Sequence, residues 1–596
     1  MMNFETLPNE IILNVFNYLR GSDLFRAFYG LNSHLNDLLY DPSLFYHFNF
    51  RSISKHEFDI IFQQHFPFIA DRIITIYLSN NSNTPQEINL FLSYINSFQQ
   101  LRQLRSLYLG YIDSQMILVN IINQCQYLNN LIDLDFDYRR STGDNECSAD
   151  LKLIVNTIWN LPKLRHCAFT YSYGEYWDFR MPRIISSSLE SFSTCISEFS
   201  LKDMFQLFDY TPRLRYLSLS IRFIDEDFVP SPIFSLINLT LTFDSVSDDW
   251  LMILFKNLPN LRRLNVKFLS ANHTSLFIYG NHWEDLIRNS LPKLKEFDLN
   301  IAVKFYHLEN VEHEFNQLVD SFRSSFWLDE HRWFIRCYPY TNLIHLHTLP
   351  SRHYYSFNGP VKLFNSTNPQ DTIQKFYNDV GSNMNEEVFD QLIPSDIHLN
   401  YIYDLTIKFP INNQFWSIVP KLDQLESLTI LNYNDLFHSQ LQALLNRIPS
   451  YLCSLVIEQE ESLPLPISLF KSINLKTSEL NLYISSIWSN PENIAFDEQQ
   501  CIALCSSSLI IECEILSISV KNREYIIYLI KNINKLRSLK VQCQDDKYMT
   551  EVESPESDEK IILTDDELVP WLKDHLPLTY SIIRISKYSS TIIIWI

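Results

Sequence analysis

Stretches of alternating apolar and polar residues recur along the chain, and each follows a stretch with helical spacing. Residues 264–268 alternate apolar and polar side chains, which predicts a strand with one buried face. Residues 248–258 carry apolar side chains along one helical stripe, and Asp248 is a candidate N-cap. Because Pro259 cannot continue that helix, the pattern predicts a helix, a turn and then a strand.

This helix–turn–strand pattern repeats with a nearly constant period. From Leu164, equivalent leucines follow at Leu189, Leu214, Leu236 and Leu261, with steps of 25, 25, 22 and 25 residues. Periods of roughly 20–29 residues are typical of leucine-rich repeats. We therefore predict an α/β fold in which an irregular leucine-rich-repeat solenoid places parallel strands inside and helices outside. An ordinary α/β domain with coincidental leucines is the alternative.

The period of the repeat, and the places where it is absent, divide the chain into four regions. Residues 51–300 and 401–596 are predicted to form the first and second halves of the array. Residues 301–400 break the period and predict an elaborated repeat or insertion with a helix and a β-hairpin. Within the last region, residues 545–560 are acidic and nearly free of apolar side chains, which predicts a loop.

The first region, residues 1–50, predicts three short helices with more apolar surface than they can bury alone. Ile12, Phe16 and Leu19 form one helical stripe, Pro8 suits a helix start and Gly21 suits a helix end. A unit this small lies near the roughly 40-residue limit for unaided folding, so its surplus apolar face must dock on something. That cover is either a separate polypeptide or the predicted solenoid itself.

Composition excludes several classes of function. The chain has 596 residues, of which 46% are hydrophobic, and a net charge of −21, which disfavours nucleic acids and anionic membranes as partners. We find no secretory signal and no apolar run of the roughly 18 residues that span a bilayer, so a cytoplasmic or nuclear location is expected. The ten cysteines form no C-x-x-C pair and are expected to be free thiols.

No catalytic motif is present, and the chain contains only eight glycines, which disfavours phosphate-binding loops. His307, Glu309, His313 and Glu314 are candidate metal ligands, but charged residues normally cover an exposed helix face, and a solvated face is the expected interpretation. We therefore expect no catalytic residues, no metal and no cofactor. A hydrolase on an unrecognised α/β domain is the enzymatic alternative.

The N-terminal region resembles an F-box. Leu7, Pro8 and Glu10 form the L-P-x-E start, and the paired apolar positions 11–12, 15–16 and 18–19 follow it. Asp23-Leu24 comes next, whereas residues 31–35 replace the usual Cys-x-x-Trp region of the third helix. The array behind it is similar to the substrate-receptor half of F-box proteins with leucine-rich repeats.

The resemblance implies a non-catalytic subunit of an SCF-type ubiquitin ligase. Its F-box would dock on the adaptor subunit of the S-phase kinase-associated protein family, and through it on the cullin, while the array binds a substrate protein. A scaffold of the same fold that acts outside any ligase is the alternative. By carry-over, the adaptor-binding residues would be Leu7, Pro8, Ile12, Phe16, Leu19 and Leu24.

A substrate surface is predicted from strand residues that point away from the buried face. They are polar without a single sign of charge, which favours a protein or peptide ligand. In the insertion, a Trp between two Arg combines residue types that are enriched at binding hot spots, and a core Trp with solvated arginines is the alternative. The predicted substrate-binding residues are Ser218, Thr240, Asn265, Asp298, Arg332, Trp333, Arg336, Thr406 and Thr429.

Overall fold

A computed structural model describes most of the chain. The described residues are 4, 7–139, 151–172, 181–195, 199–223, 228–243, 248–272, 275–304, 311–340, 343–350, 363–380, 383–384, 397–412, 414–433, 435–459, 467, 473, 475–482, 495–546, 566–585 and 589–596. The predicted acidic loop 545–560 and the candidate metal residues His307 and Glu309 fall mostly or wholly outside them.

The fold is mixed α/β, and its strands form two large, mostly parallel sheets. In the first sheet, strands that follow one another in sequence are mostly neighbours, so each helix crosses from one strand to the next. We call this sheet with its helices the first array. Its strands are β1 (Tyr46–Asn49), β2 (Ile73–Ser79), β3 (Ser106–Ile112), β4 (Asp133–Arg139), β5 (His166–Ser172), β6 (Ser191–Thr194), β7 (Phe199–Ser200), β8 (Tyr216–Phe223), β9 (Asn238–Phe243), β10 (Arg263–Asn272), β11 (Glu296–Lys304), β12 (Ile335–Tyr340), β13 (Leu343–Thr348) and β14 (Asn365–Ser366).

The second sheet repeats this arrangement in the C-terminal part of the chain and, with its helices, forms the second array. Its order is sequential from the first strand to the seventh, and only the last two strands are exchanged. Its strands are β15 (Asn383–Met384), β16 (Asp404–Lys408), β17 (Ser427–Tyr433), β18 (Tyr451–Gln459), β19 (Lys476–Asn481), β20 (Ile515–Val520), β21 (Ser538–Cys543), β22 (Ser581–Arg584) and β23 (Ile592–Trp595).

The α-helices are short, and most of them connect successive strands. None of the described helices has the length and hydrophobicity needed to cross a bilayer. They are α1 (Asn9–Asn17), α2 (Gly21–Phe28), α3 (Ser33–Leu39), α4 (Lys55–Ile60), α5 (Phe66–Ile69), α6 (Glu87–Tyr94), α7 (Gln115–Cys125), α8 (Leu151–Trp159), α9 (Leu201–Tyr210), α10 (Asp248–Lys256), α11 (Gly280–Ser290), α12 (Val311–Asp320), α13 (Ile373–Val380), α14 (Phe415–Ile418), α15 (His438–Leu445), α16 (Glu498–Cys505), α17 (Arg523–Asn532) and α18 (Leu568–His575).

The repeat leucines hold the arrays together. Leu164, Leu189, Leu214, Leu236 and Leu261 are all at most 1% exposed, and each lies in the turn just before a strand of the first array. Within the strands, every second side chain is buried against the helices, as in the alternating pattern of β9. The helix and the strand predicted around Pro259 are confirmed as α10 and β10. The other face of each sheet, which we call the open face, carries the half-buried polar residues.

Both arrays end in the same way. In the first, β12 and β13 form an antiparallel hairpin, and β13 also pairs antiparallel with β11. In the second, β22 and β23 form a hairpin, and β23 pairs antiparallel with β21. In each sheet, the reversed strand ends the run of parallel pairs.

Each terminal hairpin sends one aromatic side chain into the core of the other array. Tyr338 lies on the open face of β12 but belongs to the second core, where its ring is 4.7 Å from that of Phe376 in α13. Trp595 lies on β23 but belongs to the first core, where its ring is 5.4 Å from that of Phe58 in α4. The two arrays therefore contact each other at both ends.

The contact through Trp595 closes the chain on itself. The Trp595 Nε1–H donates to the Ile53 carbonyl at 3.0 Å, and the Lys55 amide donates to the Ile596 carbonyl at 2.7 Å. Behind this contact, Lys55 and Asp59 form a buried ion pair at 2.5 Å. The joint thus combines an apolar insertion with hydrogen bonds to backbone carbonyls, although no strand pairing links the two sheets among the described residues.

We predict that Trp595→Ala weakens this joint. The lost side chain is fully buried, so the free energy of unfolding should fall by about 3–5 kcal/mol in urea denaturation. Hydrogen exchange at the Lys55 amide should also accelerate, since its acceptor lies across the joint. Trp595→Phe keeps the ring contact but lacks the indole N–H. Its stability and its Lys55 exchange rate should lie between those of the wild-type protein and of Trp595→Ala.

Leu578→Ala is the matched control, because Leu578 is 96% exposed next to the same terminal hairpin. It should leave both measurements unchanged. If the Lys55 amide of the Trp595→Ala protein exchanged as slowly as that of the wild-type protein, the assignment of the joint would be wrong.

Candidate protein-docking surfaces

The N-terminal helices α1, α2 and α3 form a small unit in front of the first array. Glu10 lies in the first turn of α1, where a carboxylate is favoured by the helix dipole. Asn32 caps α3 by accepting from the Leu35 amide at 2.8 Å. At the start of α2, Gly21 packs against Phe48 so closely that a Cβ atom would lie 2.5 Å from the ring. This close approach explains why a glycine stands there.

Three of the predicted adaptor-binding residues form the inside of this unit. Ile12, Phe16 and Leu24 are between 0% and 2% exposed, and the Phe16 ring lies 4.8 Å from that of Phe28. They are buried because the three helices fold around them, so a partner cannot contact them in this conformation. The prediction that these three face an adaptor is corrected accordingly. Their role is to hold α1 against α2.

The outer face of α1 carries a second apolar stripe. Ile11 is 46% exposed, Val15 is 37% exposed and Tyr18, just beyond the last turn, is 90% exposed. Their spacing of four and three residues places them side by side on one face. We call Ile11, Val15 and Tyr18 the outer stripe. The sequence contains the apolar pairs 11–12, 15–16 and 18–19, and the predicted docking residues Ile12 and Phe16 are the buried members of the first two pairs.

The remaining predicted docking residues border this outer stripe. Pro8 is exposed at the N-terminus of α1, while Leu7 and Leu19 are half-buried against the core. Beyond α2, Tyr29 is 44% exposed and Leu31 is 63% exposed. The N-terminal unit therefore presents several accessible apolar side chains, although its own interior is complete.

The unit is attached to the first array around His65. The His65 imidazole stacks on Phe25 at 4.1 Å, and its Nδ1 lies 2.6 Å from the Tyr40 hydroxyl. The Arg72 guanidinium also donates to the Tyr40 carbonyl at 3.0 Å and to the Phe68 carbonyl at 2.7 Å. Burial in these surroundings lowers the pKa of His65 to about 4.

The open face of the first array brings four of the predicted substrate-binding residues into one row. Ser218, Thr240, Asn265 and Asp298 are paired across β8, β9, β10 and β11 in unbroken register. The Asn265 amide donates to Asp298 Oδ2 at 3.2 Å. All four are half-buried. Their side chains can therefore still meet a ligand, but Asp298 is already engaged.

The same row continues toward the N-terminus through Asp135, Tyr108 and Tyr77. The rings of Tyr77 and Tyr108 stack at 4.1 Å, and the guanidinium of Arg51 lies 5.0 Å from the Tyr77 ring centre. Burial raises the pKa of Asp135, and the neighbouring Asp137 raises it further. Thr406 and Thr429 form an equivalent pair in the second array, separate from this row.

The insertion places its three predicted substrate-binding residues in different environments. Arg332 is exposed and has a left-handed backbone conformation. Trp333 is only 9% exposed and packs in the first core, so it is a core residue. Arg336 is 1% exposed and donates to Asp371 at 2.5 Å and to Asp379 at 2.7 Å. Trp333 is thus structural because it fills the first core, and Arg336 is structural because α13 and the turn before it fold onto the open face of β12.

The described residues contain no cluster of three or more His, Cys, Asp and Glu side chains that could hold a metal ion. Six of the described cysteines are buried, and burial raises the pKa of each thiol: they are Cys125, Cys167, Cys337, Cys501, Cys513 and Cys543. A raised pKa makes a thiol a poor nucleophile at neutral pH.

Comparisons with known protein families and with curated protein sequences find no match to this chain. The geometry of the surfaces described above is therefore the basis for assigning a function.

We predict that Phe16→Ala and Tyr18→Ala have opposite consequences although the residues are neighbours. Phe16→Ala empties a packed interior, and its free energy of unfolding should fall by about 3–5 kcal/mol. Tyr18→Ala removes an exposed ring and should change stability by less than about 0.5 kcal/mol. Chemical denaturation of both variants checks this, and equal losses would show that the two faces of α1 are wrongly assigned.

We also predict that attachment of the N-terminal unit weakens in acid through His65. Its folded pKa of about 4 lies below the ordinary value of 6.5, so the folded state binds fewer protons between these values. Stability should therefore fall as the pH is lowered from about 6.5 to about 4. His65→Phe should reduce this dependence, whereas His34→Phe, at an exposed site on α3, should retain it. Denaturation midpoints across this pH range are the measurement.

Proposed function

We propose that the chain is the substrate-recognition subunit of an SCF-type ubiquitin ligase. In this proposal the N-terminal unit is the F-box and docks on the adaptor subunit through the outer stripe. The two arrays are irregular leucine-rich-repeat arrays, and their open faces receive a substrate protein. The chain itself performs no chemistry.

The outer stripe is the observation that carries the proposal. Ile11, Val15 and Tyr18 are exposed even though the helices around them have a complete core and a fixed attachment to the first array. Clustered exposed apolar side chains on a folded unit mark interaction sites. Tyrosine is also among the residue types enriched at binding hot spots. The L-P-x-E motif, from Leu7 to Glu10, leads into the same helix.

The ligase role follows from placing two binding surfaces on one rigid chain. An adaptor on the outer stripe would bring the cullin and its ubiquitin-loaded partner near a substrate on the open faces. Tethering raises the effective concentration of the reacting groups without any catalytic residue in the tether. The closed joint between the arrays would keep the distance between the two surfaces fixed.

The decisive measurement is adaptor binding by outer-stripe variants. Tyr18→Ala combined with Val15→Asp should weaken binding of the purified adaptor subunit by about 2–4 kcal/mol if these residues are central contacts. The affinity is measured by calorimetry, and the cullin should be lost from affinity-purified complexes in parallel. Full retention of the adaptor by the double variant would refute docking through this stripe.

Tyr401→Ala is the matched control, because Tyr401 is 51% exposed in the second array, far along the chain from α1. It should retain the adaptor fully. Point variants are preferable to deletion of residues 1–50, since Phe25 stacks on His65 and β1 pairs with β2, so that deletion would uncover the first core.

A further inference from the structure

One edge of the first array is basic although the chain as a whole is acidic. In each unit, the residue just before the strand occupies an equivalent position. Its backbone carbonyl accepts a hydrogen bond from the backbone amide of the corresponding residue in the next unit. The Arg105 carbonyl, for example, accepts from Ile132 at 2.7 Å, and the Arg215 carbonyl accepts from Ile237 at 2.9 Å. The ladder runs through Arg105, Ile132, Arg165, Glu190, Arg215, Ile237, Arg262 and Lys295.

The turn before each strand adds a second set of cations to this edge. All these cationic side chains are exposed. By contrast, the whole chain has 48 Lys and Arg against 69 Asp and Glu, so the distribution is strongly uneven. We call this surface the basic rim, and it consists of Arg102, Arg105, Lys163, Arg165, Arg213, Arg215, Arg262, Arg263, Lys293 and Lys295.

Few carboxylates neutralise the basic rim. Glu296 pairs with Arg263 at 2.8 Å, and Glu190 lies 4.0 Å from Arg165. Lys163 and Lys293 instead donate to the amide oxygens of Asn130 and Asn260, both at 2.7 Å. The remaining members form no ion pair with the described part of the chain, and Asp133 is the other carboxylate at this edge. The rim therefore keeps most of its charge in the folded protein.

The dimensions of the rim fit an extended polypeptide. Its eight ladder positions span seven strand intervals of about 4.8 Å, or about 34 Å in all. An extended chain rises about 3.3 Å per residue, so about ten residues cover that length. Apolar side chains interrupt the cations: Ile132 and Ile237 lie in the ladder, and the adjacent Tyr216 and Phe234 are 42% and 66% exposed.

We propose that the basic rim binds an extended, anionic segment of a partner protein, about ten residues long, with apolar residues between its charges. Carboxylate or phosphate side chains supply the complementary charge, and Arg can bind either group in a bidentate manner. A nucleic acid is disfavoured, because its continuous backbone charge has no use for the apolar positions and is repelled by the net charge of −21. This surface is separate from the outer stripe and does not require adaptor docking.

The test uses fluorescent twelve-residue peptides in anisotropy titrations with the full chain. One peptide alternates glutamate with apolar residues, a second carries phosphoserine in place of glutamate, and a third carries glutamine. A single-stranded oligonucleotide of twelve nucleotides is the fourth probe. Arg165, Arg213, Arg215 and Arg262 are replaced together by Gln, and Lys408, Lys421, Lys531 and Lys573 are replaced by Gln in the matched control. These four lysines are exposed and lie in the second array.

At least one anionic peptide should bind the wild-type chain, and the glutamine peptide should bind at least tenfold more weakly. The four Arg→Gln changes should weaken that binding about tenfold or more and reduce its salt dependence, whereas the lysine control should change it less than about twofold. The preferred anionic peptide identifies carboxylate or phosphate as the ligand.

Three results would overturn the proposal. They are the absence of binding by both anionic peptides, equal losses in the two Gln variants, and tighter binding of the oligonucleotide with the same dependence on the four arginines. All variants should still bind the adaptor wherever the wild-type chain does, so failure at the rim is distinguishable from failure of the outer stripe.

Discussion

An array of strand–helix units must cover the apolar edge of its last unit, because each unit buries its face only against its neighbours. In this chain the two arrays meet that requirement for each other. Tyr338, at the end of the first array, packs in the second core, and Trp595, at the end of the second array, packs in the first core. The antiparallel hairpins that carry them stop the ladder and turn the aromatic side chains outward from their own sheet.

The contact between the two arrays also determines whether the N-terminal unit needs a partner to complete its interior. The joint at Trp595 completes the region around Ile53 and Phe58, onto which the N-terminal helices are built through Phe25 and His65. With that support the unit needs no partner to finish its interior. Its outer stripe is then surplus apolar surface on a stable body, rather than an unfinished core waiting for a second chain.

Much of the fold could be predicted from periodicity, since the repeat leucines at 164, 189, 214, 236 and 261 are the buried turn residues of the first array. Contacts between distant segments could not be predicted in this way. Nothing local to the terminal residues 592–596 indicates that Trp595 lies against Ile53, or that Arg336 lies buried against Asp371. The choice between Ile11 and Ile12 failed for a related reason: helical spacing defines two apolar stripes, and only packing decides which is inside.

Net charge is a poor guide to partners in a repeat protein, because one position per unit becomes one edge of the folded array. A net charge of −21 conceals the basic rim, since successive ladder positions are separated by 22 to 33 residues in sequence and are brought together only by strand pairing. The apolar member of each turn, such as Leu164, is fixed by burial, whereas the cation beside it, Arg165, is exposed and contributes nothing to the core. Folding alone therefore does not require arginine or lysine at these positions. Their mutual repulsion is a cost that an anionic ligand would remove, and this connects the repeat that builds the fold with recognition at its edge.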